Sequence, residues 1–532
     1  MTDGARGPRG ERVAAGVERL GSLAARRFFW VTFALFVAVG LCWTLATPLF
    51  ASPDEPQHVL RAVSVVRGEI LEPQAKHQLG GYTSVRAPAS YVSGFEVGCF
   101  AFQPDIPATC AKYSSSGRSV HAAAEYGEYP PAYYLVVGLP SLVSSTLRTV
   151  YVMRGIAVLL VGWLLAMGAV SIARLRQRRI AAIGYAFAIT PMALFLGAVV
   201  NPSGVEIAAA ISLWASGTVL AVQSGEQVDA KLVRRVGLAA AVLALCRQLG
   251  PLWVAVVAVV VVLVAGRQGV QNLVRDRAAR IWGGVIAASV VAQVTWVAVA
   301  GGLNLANPGA ASHDSTSLVV RHSIGLSFSF FSQMIGNFGW LDTPAPLGVI
   351  VAWAFVLGVL IVLGLAWASR RRAAVLGGIL AVAVVVPIVL EATAAHSVGY
   401  VWQGRYGLPL AAGVPIVAGI LIARSPNAPA LRGRLAGILA ATFGIGQVLA
   451  FAQSLRRNSV GYNGPIFFFL HPVWKPPVPA LLILVAFAVL IGALTWWLFW
   501  LPAPAPSDPS ATRDDSESAA GQGDAVTTTN SL

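Results

Sequence analysis

Asp54 and Glu55 are adjacent carboxylates flanked by Pro53 and Pro56, and His58 and Arg61 follow within two helical turns. An acid, an imidazole and a guanidinium together supply acid–base catalysis and phosphate binding. They stand directly after the first long apolar run of the chain, where charge is expensive to place. On a helix beginning here, Asp54 and His58 are four apart and His58 and Arg61 three apart, so all three share one face. The same residues also fit a capping box, Ser52 with Glu55 or Asp54 with Gln57, and Pro56 is tolerated in a first turn. In that alternative Asp54 or Ser52 caps the helix and Glu55 only decorates it.

The elements that must position these groups are membrane helices. Across 532 residues the chain is 56% hydrophobic and 11% charged, with a mean hydropathy of +0.69. These values exclude a set of soluble domains and predict one all-α polytopic membrane protein. The net charge of +15 is spread in short basic clusters between apolar runs. That pattern fits cytoplasmic loops under the positive-inside rule and argues against a nucleic-acid partner. The first apolar run is too long for a signal peptide and lacks a small-residue cleavage site, so it reads as an anchor. Arg outnumbers Lys, and Ala, Val and Gly are abundant, as in a GC-rich bacterial genome. The expected location is therefore a bacterial plasma membrane.

Residues 1–27 form a cytoplasmic N-terminal segment whose Arg26 and Arg27 fix the orientation, and residues 28–501 form the membrane domain. The first span runs from about Phe28 to Phe50, which puts Asp54 on the extracytoplasmic side at the head of a long outer loop, 51–128. Residues 129–147 are apolar enough to cross. If they did, the next run, Val152 to Ala173, would end outside with Arg174, Arg176, Arg178 and Arg179 on the wrong face. The stretch is therefore expected to lie in the outer interface. The remaining runs give about twelve spans with both termini inside, the least regular being 236–266. The tail 502–532 has the composition of a disordered segment. Cys99 and Cys110 share the outer loop, where an oxidising environment favours a disulfide over two free thiols.

In this topology Glu128, Glu206, Arg247, Asp342, Glu391, His396 and Arg405 all fall on the side of Asp54. A transporter keeps some polar residues at the midplane, so the one-sided distribution favours an outward-facing site. Tyr129 and Tyr133 belong to a Tyr-Pro-Pro-Ala-Tyr-Tyr stretch that is either an aromatic belt or a groove wall. Trp340 beside Asp342 offers an indole face for a sugar or an interfacial anchor. Gln403 precedes Arg405, a cation at a helix mouth that either snorkels or holds a phosphate bidentately. Residues 201–206 read as a tight turn. No zinc-type spacing and no phosphate-cradling glycine loop is present.

The acidic pair after the first helix, the long outer loop and the Tyr-Pro-Pro-x-Tyr-Tyr segment resemble the GT-C superfamily of polytopic glycosyltransferases. More narrowly, residues 52–58 (Ser-Pro-Asp-Glu-Pro-Gln-His), 201–204 (Asn-Pro-Ser-Gly), 338–344 (Phe-Gly-Trp-Leu-Asp-Thr-Pro) and 403–410 (Gln-Gly-Arg-Tyr-Gly-Leu-Pro-Leu) resemble the bacterial predicted membrane protein family "domain of unknown function 2142". The likeness runs from about residue 30 to 480. Ser203 departs from it, standing where an aspartate is expected.

The resemblance implies a GT-C-like bundle that moves a sugar from a polyprenyl-phosphate donor to a glycan, lipid or protein acceptor of the cell envelope, with inversion. In that reading Asp54 is the general base, and Glu55 orients it or joins it in binding Mg²⁺ or Mn²⁺. Arg405, with His58 and Arg61, holds the phosphate, and Tyr129, Tyr133, Trp340, Asp342 and Gln403 line the substrate groove. A transporter or flippase of a lipid-linked glycan and a non-catalytic membrane scaffold are the competing classes.

Overall fold

The computed structural model describes residues 8–71, 83–124, 127–226, 228–300, 311–428 and 433–500, with side chains from residue 23 onward. The proposed tail at 502–532 lies outside them. A first helix, α1 (Pro8–Ala46), is followed by α2 (Glu55–Val65), then strand β1 (Thr83–Pro88), α3 (Ala89–Val92), strand β2 (Ser119–Ala124) and α4 (Pro131–Val137). Next come α5 (Arg148–Ile172), α6 (Arg178–Ala188), α7 (Pro191–Gly197), α8 (Pro202–Gln223), α9 (Ala230–Cys246), α10 (Gly250–Arg275) and α11 (Arg277–Val299). The rest comprises α12 (Thr316–Gly325), α13 (Ser327–Ile335), the two-residue strands β3 (Asn337–Phe338) and β4 (Thr343–Pro344), α14 (Leu347–Trp367), α15 (Arg370–Val398), α16 (Gly404–Ala411), α17 (Gly413–Ala423), α18 (Arg434–Val460) and α19 (Ala480–Phe499).

Among the described residues ten helices are long and apolar enough to cross a membrane, and the pair α6–α7, bent by 63°, makes an eleventh. Helix α9 has 17 residues, about 26 Å at 1.5 Å per residue, and packs against α8 and α11. Counted as a pass, it brings the total to twelve. Residues 129–147 contain no spanning helix. They form α4 and a 3₁₀ turn at Leu139–Leu142, and Leu135, Leu139, Leu142 and Val143 are exposed.

Helix α8 is the axis of the bundle. Its spanning stretch is wholly buried, with α5, α9, α10 and α17 around it. Small residues permit the closest crossing: a Cβ on Gly184 of α6 would lie 2.0 Å from the Pro415 carbonyl oxygen of α17, so only glycine fits. The chain connections then fall at two ends. One carries the basic clusters and the Arg174–Asp229 ion pair, and the other carries the long first loop.

That loop is built rather than loose. Strands β1 and β2 pair antiparallel, and Cys99 and Cys110 are joined by a disulfide. The loop closed by the disulfide wraps the end of α18. Arg457 donates to the carbonyls of Phe100 (2.8 Å), Gln103 (3.2 Å) and Ile106 (3.2 Å), and to Asp342 (2.7 Å).

The turn from α1 into α2 is fixed by one buried cation. Arg154 of α5 holds Glu55 bidentately, Nε to Oε1 at 2.7 Å and Nη2 to Oε2 at 2.6 Å, and both side chains are 0% exposed. Its remaining donors reach the carbonyls of Thr44, Thr47 and Pro48, and the Val200 N–H donates to Glu55 Oε1 at 3.0 Å. Every N–H of the guanidinium is used, as a charge in a low-dielectric interior requires. Neither capping box forms. Asp54 occupies the N-cap position but makes no capping bond, because its side chain and that of Glu55 turn to arginines instead.

Removing one partner of such a pair leaves the other charge stranded. Arg154→Ala should cost roughly 3–5 kcal/mol, read as a large fall in the thermal unfolding midpoint of the detergent-solubilised protein. A variant melting with the wild type would show that this pair does not brace the turn.

Candidate functional site

Among the described residues Asp54 is one of four non-glycine residues with positive φ, at φ 62°, ψ 7°. Left-handed backbone costs a non-glycine residue about 1–3 kcal/mol, though aspartate tolerates it better than most. The conformation sends the carboxylates of Asp54 and Glu55 to different cations. Glu55 goes inward to Arg154, while Asp54 meets Arg405 Nη2 at 2.5 Å and keeps 27% of its side chain exposed.

Arg405 sits at the start of α16, which is held by neighbours on three sides. Gly404 N–H donates to Gln333 Oε1 at 2.8 Å, Trp402 N–H to Glu391 Oε2 at 3.0 Å, and Trp214 Nε1 to the Pro409 carbonyl at 2.9 Å. A side chain at 404 would meet the Phe330 carbonyl at 2.3 Å. The Arg405 side chain is 2% exposed, and its Nη2 also donates to Tyr406 Oη at 3.1 Å. Its Nε and Nη1 are buried and make no hydrogen bond.

A second guanidinium completes the cluster. Arg247, at the link between α9 and α10, packs over the rings of Tyr406 (4.9 Å) and Tyr129 (5.8 Å). It donates to Ser203 Oγ at 2.7 Å and lies 3.5 Å from Glu206 Oε2, whose other oxygen accepts from Trp253 Nε1. Burial pushes the Asp54 carboxyl up, but Arg405 above all, through its charge and its hydrogen bond, outweighs it and holds the group below the ordinary carboxylate range. The Tyr129 hydroxyl is pushed up to about 12, chiefly by burial.

Of the residues expected at a site, the structure brings Asp54, Arg405, His58 and Tyr129 together. His58 is buried, its Nδ1 2.9 Å from Tyr134 Oη, and burial together with the two arginines lowers its pKa to about 3. It is therefore a neutral imidazole and offers no charge to a phosphate. Arg61 shares the helix but turns away, bonding the carbonyls of Glu69, Ile70 and Tyr129, because a buried guanidinium takes whatever acceptors lie nearest. Tyr133 is 4% exposed and stacked edge-on against Tyr134, inside the packing and not on a groove wall. Trp340 and Asp342 lie apart from Arg405: Trp340 Nε1 donates to the Phe50 carbonyl and its ring faces Phe102, while Asp342 is paired with Arg457. Gln403 occupies the N-cap position of α16, with Oε1 buried and unbonded.

The donor set does not fit a divalent cation. Both Glu55 oxygens are committed to Arg154, Asp54 faces two guanidinium groups, and no group of three or more His, Cys, Asp or Glu able to hold a metal occurs among the described residues.

Sequence reasoning named neither Arg154 nor Arg247 as a site residue. Both carried a signal, a lone charge interrupting an apolar run, which in a membrane marks a residue with an obligatory partner.

A family profile described as "Predicted membrane protein (DUF2142)" matches residues 36–414. No curated protein sequence matches the chain. Among solved structures, the chain is similar to that of ArnT from Cupriavidus metallidurans bound to undecaprenyl phosphate, with 14% identity and a TM-score of 0.43, over 88% of this chain and 76% of that one.

The lowered pKa of His58 fixes a pH dependence. Between its ordinary value of 6.5 and about 3 the unfolded chain binds a proton that the folded chain refuses. The contribution of neutral His58 is complete above pH 6.5 and is lost as pH falls, by up to about 1.4 kcal/mol per pH unit. His58→Gln should flatten the decline in thermal stability between pH 6.5 and about 4.5, above the range where most carboxylates titrate. An unchanged slope would mean that His58 is not the titrating group.

Proposed function

Since this chain belongs to the DUF2142 family of predicted membrane proteins, and its Asp54–Arg405 cluster has the groups for phosphate-leaving chemistry, we propose that it is a glycosyltransferase of GT-C type. It moves a sugar from a polyprenyl-phosphate donor to a cell-envelope acceptor. The observation that carries this reading is Arg405, a buried arginine with two nitrogens, Nε and Nη1, unbonded beside a partly exposed carboxylate. Nε and Nη1 stand on different edges of the guanidinium, so each offers a donor to a phosphate oxygen, and a two-oxygen fork forms when Nη2 turns from Asp54 to the phosphate.

The reaction is a single displacement with inversion. The acceptor oxygen forms a bond to the anomeric carbon, the bond from that carbon to the phosphate oxygen breaks, and its electron pair leaves with the phosphate. Asp54 accepts the proton of the acceptor hydroxyl. Arg405, backed by Arg247, stabilises the charge that gathers on the departing phosphate.

The ion pair with Arg405 makes Asp54 a weak base while the donor is absent. A donor phosphate competes for Arg405 and brings negative charge beside Asp54, which raises its proton affinity when a base is needed. Basic clusters at the opposite end of the bundle support an extracytoplasmic site by the positive-inside rule. On this reading Glu55 is structural, holding the backbone that presents Asp54.

Asn suits left-handed backbone, so Asp54→Asn should fold normally. Membranes carrying it should consume no donor from a panel of radiolabelled polyprenyl-phosphate sugars that the wild type uses. Full activity in that variant would remove Asp54 as the base. Arg405→Lys keeps the charge but loses the fork, and donor consumption should drop by about 100-fold or more.

A further inference from the structure

A recess lies at the same end of the bundle, against the α1–α2 turn. It is a cavity of about 230 Å³ lined by Pro48, Tyr113, Tyr151, Trp474, Lys475 and Pro477 among others. Four separate parts of the chain meet there: the α1–α2 turn, α5, the segment following the disulfide, and the α18–α19 connection.

Its walls are held in place. Tyr113 Oη donates to the Leu49 carbonyl at 2.9 Å, and its ring lies 5.8 Å from that of Phe50. Tyr151 stacks under the Arg154 guanidinium, 5.6 Å from its ring centroid, so the brace of the fold also fixes this wall. Val473 and Trp474 both donate backbone N–H bonds to the Ser459 carbonyl at 3.0 Å, fixing the segment that carries the indole and Lys475. Rigid aromatic faces of this kind cost little ordering when a ligand arrives.

We propose that this cavity is a saccharide-binding site that takes one pyranose ring bearing an acidic group, and that it receives the acceptor. The acceptor role rests on the transfer proposed above, whereas the binding itself does not. Three aromatic rings offer the flat apolar faces that the C–H surface of a sugar covers, and their quadrupoles attract those polarised hydrogens. The Lys475 ammonium at the rim selects an anionic substituent such as a uronic carboxylate. The volume falls below the roughly 300–1,000 Å³ of pockets for drug-sized ligands, which suits one ring and excludes a polyprenyl or acyl chain. Its place at Pro48 and Leu49 puts it on the same α1–α2 turn that presents Asp54.

The test uses full-length protein in nanodiscs and ligand-observed saturation-transfer NMR with methyl glucuronide, methyl glucoside and glycerol phosphate. Methyl glucuronide should bind the wild type best. Trp474→Ala should weaken both glycosides by about tenfold. Lys475→Met, at an exposed position, should remove only the preference for the acidic sugar, so the proposal stays testable even where Trp474→Ala fails to fold. Asp54→Asn should bind as the wild type does, and loss of transfer in that variant reports on the proposed reaction alone. Absence of glycoside binding, binding indifferent to Lys475→Met, or binding of glycerol phosphate alone, the mark of a phospholipid headgroup, would each overturn the saccharide assignment.

Discussion

A guanidinium buried without water must find all its partners in the protein, and Arg154 organises this molecule by that need. Its five donors draw the last carbonyls of α1, the first side chain of α2 and, through Glu55, the link between α7 and α8 to one point. A buried ion pair is not a cheap source of stability, since desolvation offsets most of the Coulomb gain. What it supplies is position. The turn from Pro48 to Glu55 cannot slide or rotate without stranding a charge, so Asp54 is presented at a fixed place and in a strained backbone conformation.

The contrast between Arg154 and Arg405 separates brace from site. Both are buried arginines facing adjacent carboxylates, yet Arg154 is saturated while Arg405 leaves Nε and Nη1 unbonded. Unmet donors in a low-dielectric setting are costly, and proteins keep them mainly where a ligand or a reaction uses them. Asp54 shows the same asymmetry beside Glu55: left-handed backbone, 27% exposure and a single ion-pair contact, against a fully enclosed neighbour with three bonds to its oxygens.

Much of this was legible in the sequence. Apolar run lengths and basic clusters predicted the helical passes and which ends share a face, because both follow from bilayer thickness and charge placement alone. The arginines after Val152–Ala173 argued against a span at 129–147, where the chain forms only α4 and a 3₁₀ turn. The Cys99–Cys110 bond followed from two cysteines sharing one outer loop. Partner choice was legible for Arg405 but not for the rest. Helical spacing set His58 and Arg61 on the face of Asp54, but spacing does not say how deep a helix is buried or which carbonyls surround it. Burial left His58 neutral, and nearby carbonyls captured Arg61. The groups that do face Asp54, Arg405 and Arg247, come from helices hundreds of residues away in the chain, brought together by packing around α8.

The same depth explains why two consecutive carboxylates meet such different surroundings. Asp54 and Glu55 are consecutive, and the left-handed turn at Asp54 points their side chains into different surroundings. The Asp54 side is cationic, with two arginines and two tyrosine rings. On the Glu55 side, Arg154 neutralises the carboxylate and lies over Tyr151, leaving the neighbouring cavity aromatic with one lysine at its rim. One backbone conformation thus separates a cationic environment that holds the Asp54 carboxylate from an aromatic one against the Glu55–Arg154 pair.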